Sequence, residues 1–300
     1  METLIGMGAN GFIVLTNVID WLRSRKLSMT DLILTSLSLA RLVWQAMVML
    51  GVTMVSFFLS TYALDHVYLM IVIMWVFTNS VNLWFAACLS VWYLMKIAII
   101  SHPVFLQVKR RFSGLVPWLL LGSIVLSAFM TIIFIAALKT GSSIYNPYKS
   151  LGSNISESEI IQPTFNERIA ILSIVQNFIP LALFLSSIIF LIISLWNHMR
   201  HLQCEGVCTS DLNTKAHLTA LKALVSFAIL YLFGFAATIL QTTLTWRTKD
   251  DSQTSVFFHN VSALYPSGHA IILILLNPKL KQAWVRMIPN LKCHLRKTPS

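Results

Sequence analysis

Acidic residues are scarce in this chain. Only 11 of its 300 residues are Asp or Glu, against 22 Lys or Arg, and charged residues together make up 11%. A soluble domain carries about 25%, so an ordinary water-facing surface is excluded. Every Asp and Glu is read as lying outside the membrane spans assigned below. That weighs against a proton pump or cation-coupled transporter, whose relays use buried carboxylates. It also removes the usual buried counter-ion for an amine ligand. Cysteine is equally sparse: Cys88 sits in an apolar run, and Cys204, Cys208 and Cys293 fall in segments assigned to the cytosol. No cysteine is left for a disulfide in an outer loop. The C-x3-C pair of Cys204 and Cys208 has no second Cys/His pair in register, so no metal is expected; free or reversibly acylated thiols fit better. Catalytic signatures are missing too. Ser267-Gly268-His269 lacks a nucleophile elbow, His198-x-x-His201 has no third ligand, and no paired intramembrane aspartates occur. Neither an enzyme nor a cofactor is expected.

What is present is apolar: 56% of the chain is hydrophobic. Seven runs are long enough to cross a bilayer as helices, at residues 3–22, 32–55, 67–95, 115–138, 169–197, 218–245 and 256–277. The first barely reaches the roughly 20 residues a span needs. The fold class is therefore an all-α membrane protein, a single seven-helix transmembrane domain over 1–300, with 278–300 as a basic cytoplasmic tail. An odd number of spans does not divide into the equal halves common among secondary transporters.

Orientation follows from the basic residues. With the N-terminus outside, the inner segments hold 16 of the 22 Lys and Arg: Arg23, Arg25 and Lys26; Lys96, Lys109, Arg110 and Arg111; Arg200, Lys215 and Lys222; and six from Lys279 onward. The outer segments hold Lys139, Lys149, Arg168, Arg247 and Lys249. This bias places the N-terminus outside and the C-terminus in the cytoplasm. The glycosylation acceptor Asn154-Ile155-Ser156 then falls in the longest outer loop. The net charge of +11 reads as membrane orientation and not as nucleic-acid binding, because the basic residues stand between apolar runs.

Polar residues inside the spans mark the interior of the bundle. Arg41 must face inward, with hydroxyls, amides, carbonyls or water as partners, and Asn10 at comparable depth is its first candidate. A structural interhelical hydrogen bond is favoured there over ligand contact. Trp75, Asn79 and Asn82, spaced four and three apart, share one face of the third span. Gln176 and Asn177, Gln241, and His259 with Ser262 contribute polar groups at similar depth from the fifth, sixth and seventh spans. A mostly apolar cavity with a few polar groups is what a small-molecule site requires; gluing helices together is the competing role for each residue. The inner ends combine basic and apolar residues, a surface suited to an acidic partner or anionic lipid. A receptor, a facilitative transporter and a channel are all compatible with these features.

Longer motifs narrow the choice. Asn10-Gly11-Phe12-Ile13-Val14-Leu15, Leu37-Ser38-Leu39-Ala40-Arg41-Leu42 and the run Asn82-Leu83-Trp84-Phe85-Ala86-Ala87-Cys88-Leu89-Ser90-Val91-Trp92-Tyr93 stand in the first three spans. Ser101-His102-Pro103-Val104-Phe105-Leu106 follows. Ala216-His217-Leu218-Thr219-Ala220-Leu221-Lys222 opens the sixth span. Tyr265-Pro266-Ser267-Gly268-His269 and Asn277-Pro278-Lys279-Leu280-Lys281-Gln282 lie in and after the seventh. In this order they resemble the bitter taste receptors, the type 2 taste receptor family, along essentially the whole chain. Ala270 stands where the family usually has Ser, which removes one hydroxyl, and the N-terminus is shorter than the family pattern.

The resemblance implies a plasma-membrane, multi-pass G-protein-coupled receptor. It would bind small-molecule bitter agonists in an outer-half pocket and activate a gustducin-type G protein. On matching positions it points to Trp75 and Asn79 as ligand contacts, and to Lys96, His198, His217, Lys222 and Tyr231 for coupling. Arg41, Asn10, Tyr231 and His269 are expected to form the structural and switching set. Assembly as a homo- or hetero-oligomer is left open by the sequence.

Overall fold

The computed structural model describes residues 2–98, 103–140, 143–144, 163–204, 221–222, 225–237, 239–240 and 252–295. Backbone alone is described at 103–105, 138–140, 143–144, 163–170, 198–199, 201–204, 252–260, 262–263 and 288–295. The helices are α1 (Glu2–Ser24), α2 (Met29–Phe57), the single turn α3 (Leu59–Tyr62), α4 (Asp65–Ile97), α5 (Pro103–Leu138), α6 (Pro163–Cys204), α7 (Val225–Ala237), α8 (Ser252–Leu276) and α9 (Pro278–Leu295). Between α5 and α6 the two-residue strands β1 (Lys139–Thr140) and β2 (Ser143–Ile144) pair antiparallel.

The chain is an all-α, seven-helix transmembrane bundle. Helices α1, α2, α4, α5 and α6 are long and apolar enough to cross a membrane, and α7 and α8 contribute the shorter apolar stretches Val225–Ala237 and Leu264–Leu276 among the described residues. The first span is fuller than expected: α1 has 23 residues, about 34 Å of helix. Hydropathy located these elements because lipid forces apolar segments to satisfy their backbone within the helix. It missed α3, the β-hairpin and α9, which lie outside the apolar runs.

Local signals set the helix ends. Ser28 caps α2, its hydroxyl accepting the Asp31 N–H at 3.1 Å. Arg25, at φ 53°, takes the left-handed conformation that terminates α1 and bonds back to the Trp21 carbonyl at 2.8 Å. Pro117, Pro180 and Pro266 stand inside α5, α6 and α8, each removing one ladder hydrogen bond.

Helix α4 lies at the centre, packed on α2, α5 and α6, while α1 packs on α2 and α8. One core joins these helices through Ile13, Leu34, Leu37, Leu89, Phe184 and Leu273. Large apolar side chains point the other way on α5 and α6, among them Trp118, Val125, Phe129, Phe190 and Trp196. That inversion of a soluble surface fits contact with hydrocarbon.

One expectation about the acids is corrected here. Asp20 falls inside the 3–22 segment and inside α1, not outside the spans. It is accommodated in the last turns of the helix by an ion pair with Lys279 on α9.

Candidate functional site

The α1–α2 seam carries matched polar residues. At one level Gly6 lies directly against the Ser267 hydroxyl and the Gln45 amide, so that a Cβ at position 6 would collide with both. Gln45 Nε2 donates to Ser267 Oγ at 3.0 Å, tying α2 to α8. Further along, Asn17 Nδ2 donates to Thr35 Oγ1 at 3.0 Å. Between these levels, where helices running in opposite directions advance equally, Asn10 stands opposite Arg41.

The expected Arg41–Asn10 hydrogen bond is not formed. Asn10 Nδ2 donates to the Gly6 carbonyl of its own helix at 2.9 Å. Arg41 Nε instead donates to Asn82 Oδ1 of α4 at 3.2 Å. The reason is reach: an Arg side chain spans to the neighbouring helix, whereas the short Asn amide finds a carbonyl one turn back. Asn82 Nδ2 in turn donates to the Tyr265 hydroxyl at 2.7 Å. Arg41, Asn82 and Tyr265 therefore join α2, α4 and α8 in one buried chain of hydrogen bonds.

An aromatic stack closes over it. The Arg41 guanidinium carbon lies 5.2 Å from the centroid of Phe227, a cation–π contact. Phe227 stacks on His269 at 3.9 Å and meets Phe184 edge-on at 4.9 Å. Tyr231 stacks on Tyr265 at 5.5 Å. Close approach of α7 and α8 depends on small residues: Gly234 faces Tyr265, and Gly268 faces Leu230, each with a side-chain carbon 2.9 Å from where a Cβ would stand. Tyr231 is thus deep in the bundle and does not present itself to a partner at the surface in this conformation.

One turn from Asn82, away from the end that carries α9, a second amide pair links α4 to α6. Asn79 Nδ2 donates to Asn177 Oδ1 at 3.2 Å, and Asn177 Nδ2 donates to the Ser173 carbonyl at 2.6 Å. The Tyr231 hydroxyl reaches the Asn177 carbonyl at 3.5 Å, connecting this pair to the aromatic stack. Trp75, one turn beyond Asn79, packs against Trp44 and Val48 and also against Val76 and Phe134. Gln176 is buried beside Asn177.

Of the eight residues expected to meet a ligand, the structure brings Asn79 and Asn177 into contact and sets Trp75 and Gln176 about them. Asn82 shares their face of α4, but both its amide atoms are engaged with Arg41 and Tyr265. Gln241 lies outside the described residues, as do the side chains of His259 and Ser262 on α8. Residues given no role from sequence but central here are Trp44, Gln45, Phe184, Phe227, Tyr265 and Ser267. Gln45, one turn after Arg41 on the same face, was open to the helical-spacing argument; the aromatics gave no such signal within uniformly apolar helices.

At the α9 end, Lys279 gathers three oxygens: Asp20 Oδ2 at 3.0 Å, Asp31 Oδ2 at 3.1 Å and Asn17 Oδ1 at 3.1 Å. Partial burial opposes its charge, but Asp20 and Asp31 outweigh that and hold the ammonium above the usual lysine range. Leu280 is buried, and Trp284 meets Phe12 edge-on at 5.2 Å, so α9 is fastened to the bundle by charge and by packing. Lys96 and Lys222 are exposed. His198 has no described side chain, and His217 and Asn154 lie outside the described residues.

These features define a class: a multi-pass helical membrane protein with a buried Arg–Asn–Tyr network at its centre and an amphipathic helix after the last span. Sequence comparison supplies the family. Residues 1–292 match the family described as Taste receptor protein (TAS2R). The chain is similar to taste receptor type 2 member 7 of Pongo pygmaeus, 32% identical over 287 residues, covering 96% of this chain and 90% of that protein. It is 32% identical to taste receptor type 2 member 8 of Pongo pygmaeus over 97% of this chain and 94% of that one. With taste receptor type 2 member 39 of Macaca mulatta it shares 35% identity over 95% and 83%. The chain belongs to the type 2 taste receptor family; it is a receptor and not an enzyme.

Proposed function

We propose that this receptor is a G-protein-coupled detector of bitter small molecules in the plasma membrane. Its N-terminus is outside, and residues 1–300 form one seven-helix domain. Residues 278–300 lie on the cytoplasmic side, with α9 along the inner membrane surface. The 16-to-5 distribution of Lys and Arg supports the orientation, and Asn154 is then an outer glycan acceptor.

The ligand is bound in the outer half of the bundle, by Trp75, Asn79, Gln176 and Asn177 with Gln241, His259 and Ser262. The observation that carries this reading is the Asn79–Asn177 bond, 3.2 Å long, one helical turn outward from Asn82. A ligand that bridges or replaces that bond alters the α4–α6 contact next to the Arg41–Asn82–Tyr265 chain. It shifts the bundle toward a conformation whose inner face receives a G protein of the gustducin type. We assign Asn82 to the network and not to the ligand contacts, because both of its amide atoms are already used. Arg41, Asn10, Tyr231 and His269 belong to the same switching core. Lys96, His198, His217 and Lys222 form the coupling surface, and a basic α9 suits anionic lipid.

The test is a calcium assay in cells expressing the receptor with a chimeric G protein. Asn79→Ala and Trp75→Ala are expected to shift agonist potency about tenfold or more, the loss of one good polar or aromatic contact, at unchanged surface expression. Identical dose–response curves for wild type and both variants would place the ligand elsewhere.

A further inference from the structure

Arg41 is wholly buried, and among the described residues no Asp or Glu pairs with it. Its Nε is bonded to Asn82 and its plane lies near Phe227. Its Nη1 and Nη2 are sealed from solvent and meet no hydrogen-bond partner among the described residues. A guanidinium stays protonated in a protein. One amide oxygen and one ring face do not neutralise a full charge in a medium of low dielectric. Among the other unpartnered buried groups, which include the acceptors Asn10 Oδ1 and Gln45 Oε1, one hydroxyl donor lies on the same face of α2. Ser38 stands three residues earlier on the same face of α2, fully buried, with its hydroxyl also unpaired. Helical side chains lean toward the N-terminus of their helix, so Arg41 reaches back over the turn that carries Ser38.

We infer that Arg41 Nη1 and Nη2, together with the Ser38 hydroxyl, form a binding site for a single chloride ion. The donor set is right for an anion: two N–H groups on each terminal nitrogen and one O–H. The charge is right, since one monovalent anion neutralises one guanidinium. The size follows from burial: the guanidinium is sealed from solvent between Asn82 and Phe227, which favours a monatomic ion over a carboxylate or phosphate. On the α9 side of Ser38, polar contacts continue through Thr35 and Asn17 to Lys279. A chloride bound here stabilises the packing in which Arg41 holds Asn82 and Tyr265, and so biases the receptor's conformational equilibrium.

The experiment uses the purified full-length receptor in lipid nanodiscs. Its apparent melting temperature is followed as sodium gluconate is exchanged for sodium chloride, and separately for sodium bromide, at constant ionic strength. The site predicts a saturable rise with either halide, absent in Arg41→Gln. In Ser38→Ala the half-saturating chloride concentration rises about tenfold, the loss of one hydrogen bond to a charged partner. Equal melting of wild type in gluconate and chloride would mean that only water meets the guanidinium, and would overturn the inference. A halide response that survives Arg41→Gln would overturn it as well. If Arg41→Gln does not fold, Ser38→Ala decides, and an unchanged chloride midpoint there rejects the site.

Discussion

Replacing Asn82 with Ala removes one side chain and breaks two bonds in three helices. The amide accepts from Arg41 Nε at 3.2 Å and donates to the Tyr265 hydroxyl at 2.7 Å. The first bond involves a charged donor and contributes about 1.5–3 kcal/mol; the second is neutral and contributes about 1 kcal/mol. Both partners remain buried, so an unsatisfied guanidinium nitrogen adds to the cost. The expected destabilisation is about 3–5 kcal/mol. Tyr265→Phe removes only the shorter bond and is expected to cost about 1–1.5 kcal/mol. The double variant should cost less than the sum of the two, because the Asn82–Tyr265 bond is counted in both. The assay is the thermal inactivation half-life of detergent-solubilised receptor, since membrane proteins of this size unfold irreversibly and a rate is the sound observable. Two small, strictly additive effects, each under about 0.5 kcal/mol, would show that the chain of bonds from Arg41 to Tyr265 does not hold the three helices together.

Further outcomes follow from the same packing. Gly6→Ala should destabilise by about 1–3 kcal/mol through collision with Ser267 and Gln45, whereas Gly8→Ala and Gly11→Ala, with open space around them, should be neutral or stabilising by up to about 1 kcal/mol; the same inactivation half-lives compare the three. Lys279→Ala should loosen α9 at a cost of about 1 kcal/mol, modest because the pair is partly exposed, and should speed hydrogen exchange in α9 and the α1–α2 turn. Because the folded pKa of Lys279 is raised above 10.5, its contribution is fully present below that pH and is lost as pH rises beyond it. Hydrogen exchange corrected for intrinsic rate should therefore show α9 protection flat across neutral pH and falling only in strong alkali.

The sequence made some parts of this structure readable and hid others for physical reasons. Apolar runs were legible because a bilayer enforces them: α1, α2, α4 and α8 end within about four residues of the segments drawn, whereas α5 starts at Pro103, well before its segment, and α6 overruns its own at both ends. Helix α9 was not read, although Leu280 and Trp284 are spaced four apart: the basic residues beside them, Lys281 and Arg286, looked like tail charge when they lie on the exposed side of an amphipathic helix. Asn10 lies between the Gly6 and Asn17 contacts with α2, but depth does not decide between a neighbouring helix and a carbonyl one turn back. The spacing of Trp75, Asn79 and Asn82 put all three on the interior face of α4. It did not separate Asn82, locked to Arg41, from Asn79, paired with Asn177. Phe184 and Phe227 carry the centre of the aromatic stack, yet in sequence they look no different from the outward-facing Phe190 and Phe233, because a helix apolar on every side has no periodicity to read. Asp20 lies inside the 3–22 segment by its position alone; what the sequence did not show is its partner, Lys279, more than 250 residues away.

We propose that a small molecule in the outer half of this receptor drives nucleotide exchange on a G protein at its inner face. The direct measurement is guanine-nucleotide uptake by a purified gustducin-type heterotrimer, with the receptor in lipid nanodiscs and a bitter compound that activates it in cells. Exchange should depend on both compound and receptor and should be weakened by Asn79→Ala. A compound that binds the receptor yet produces no exchange, while opening an ion conductance in the same membranes, would contradict it.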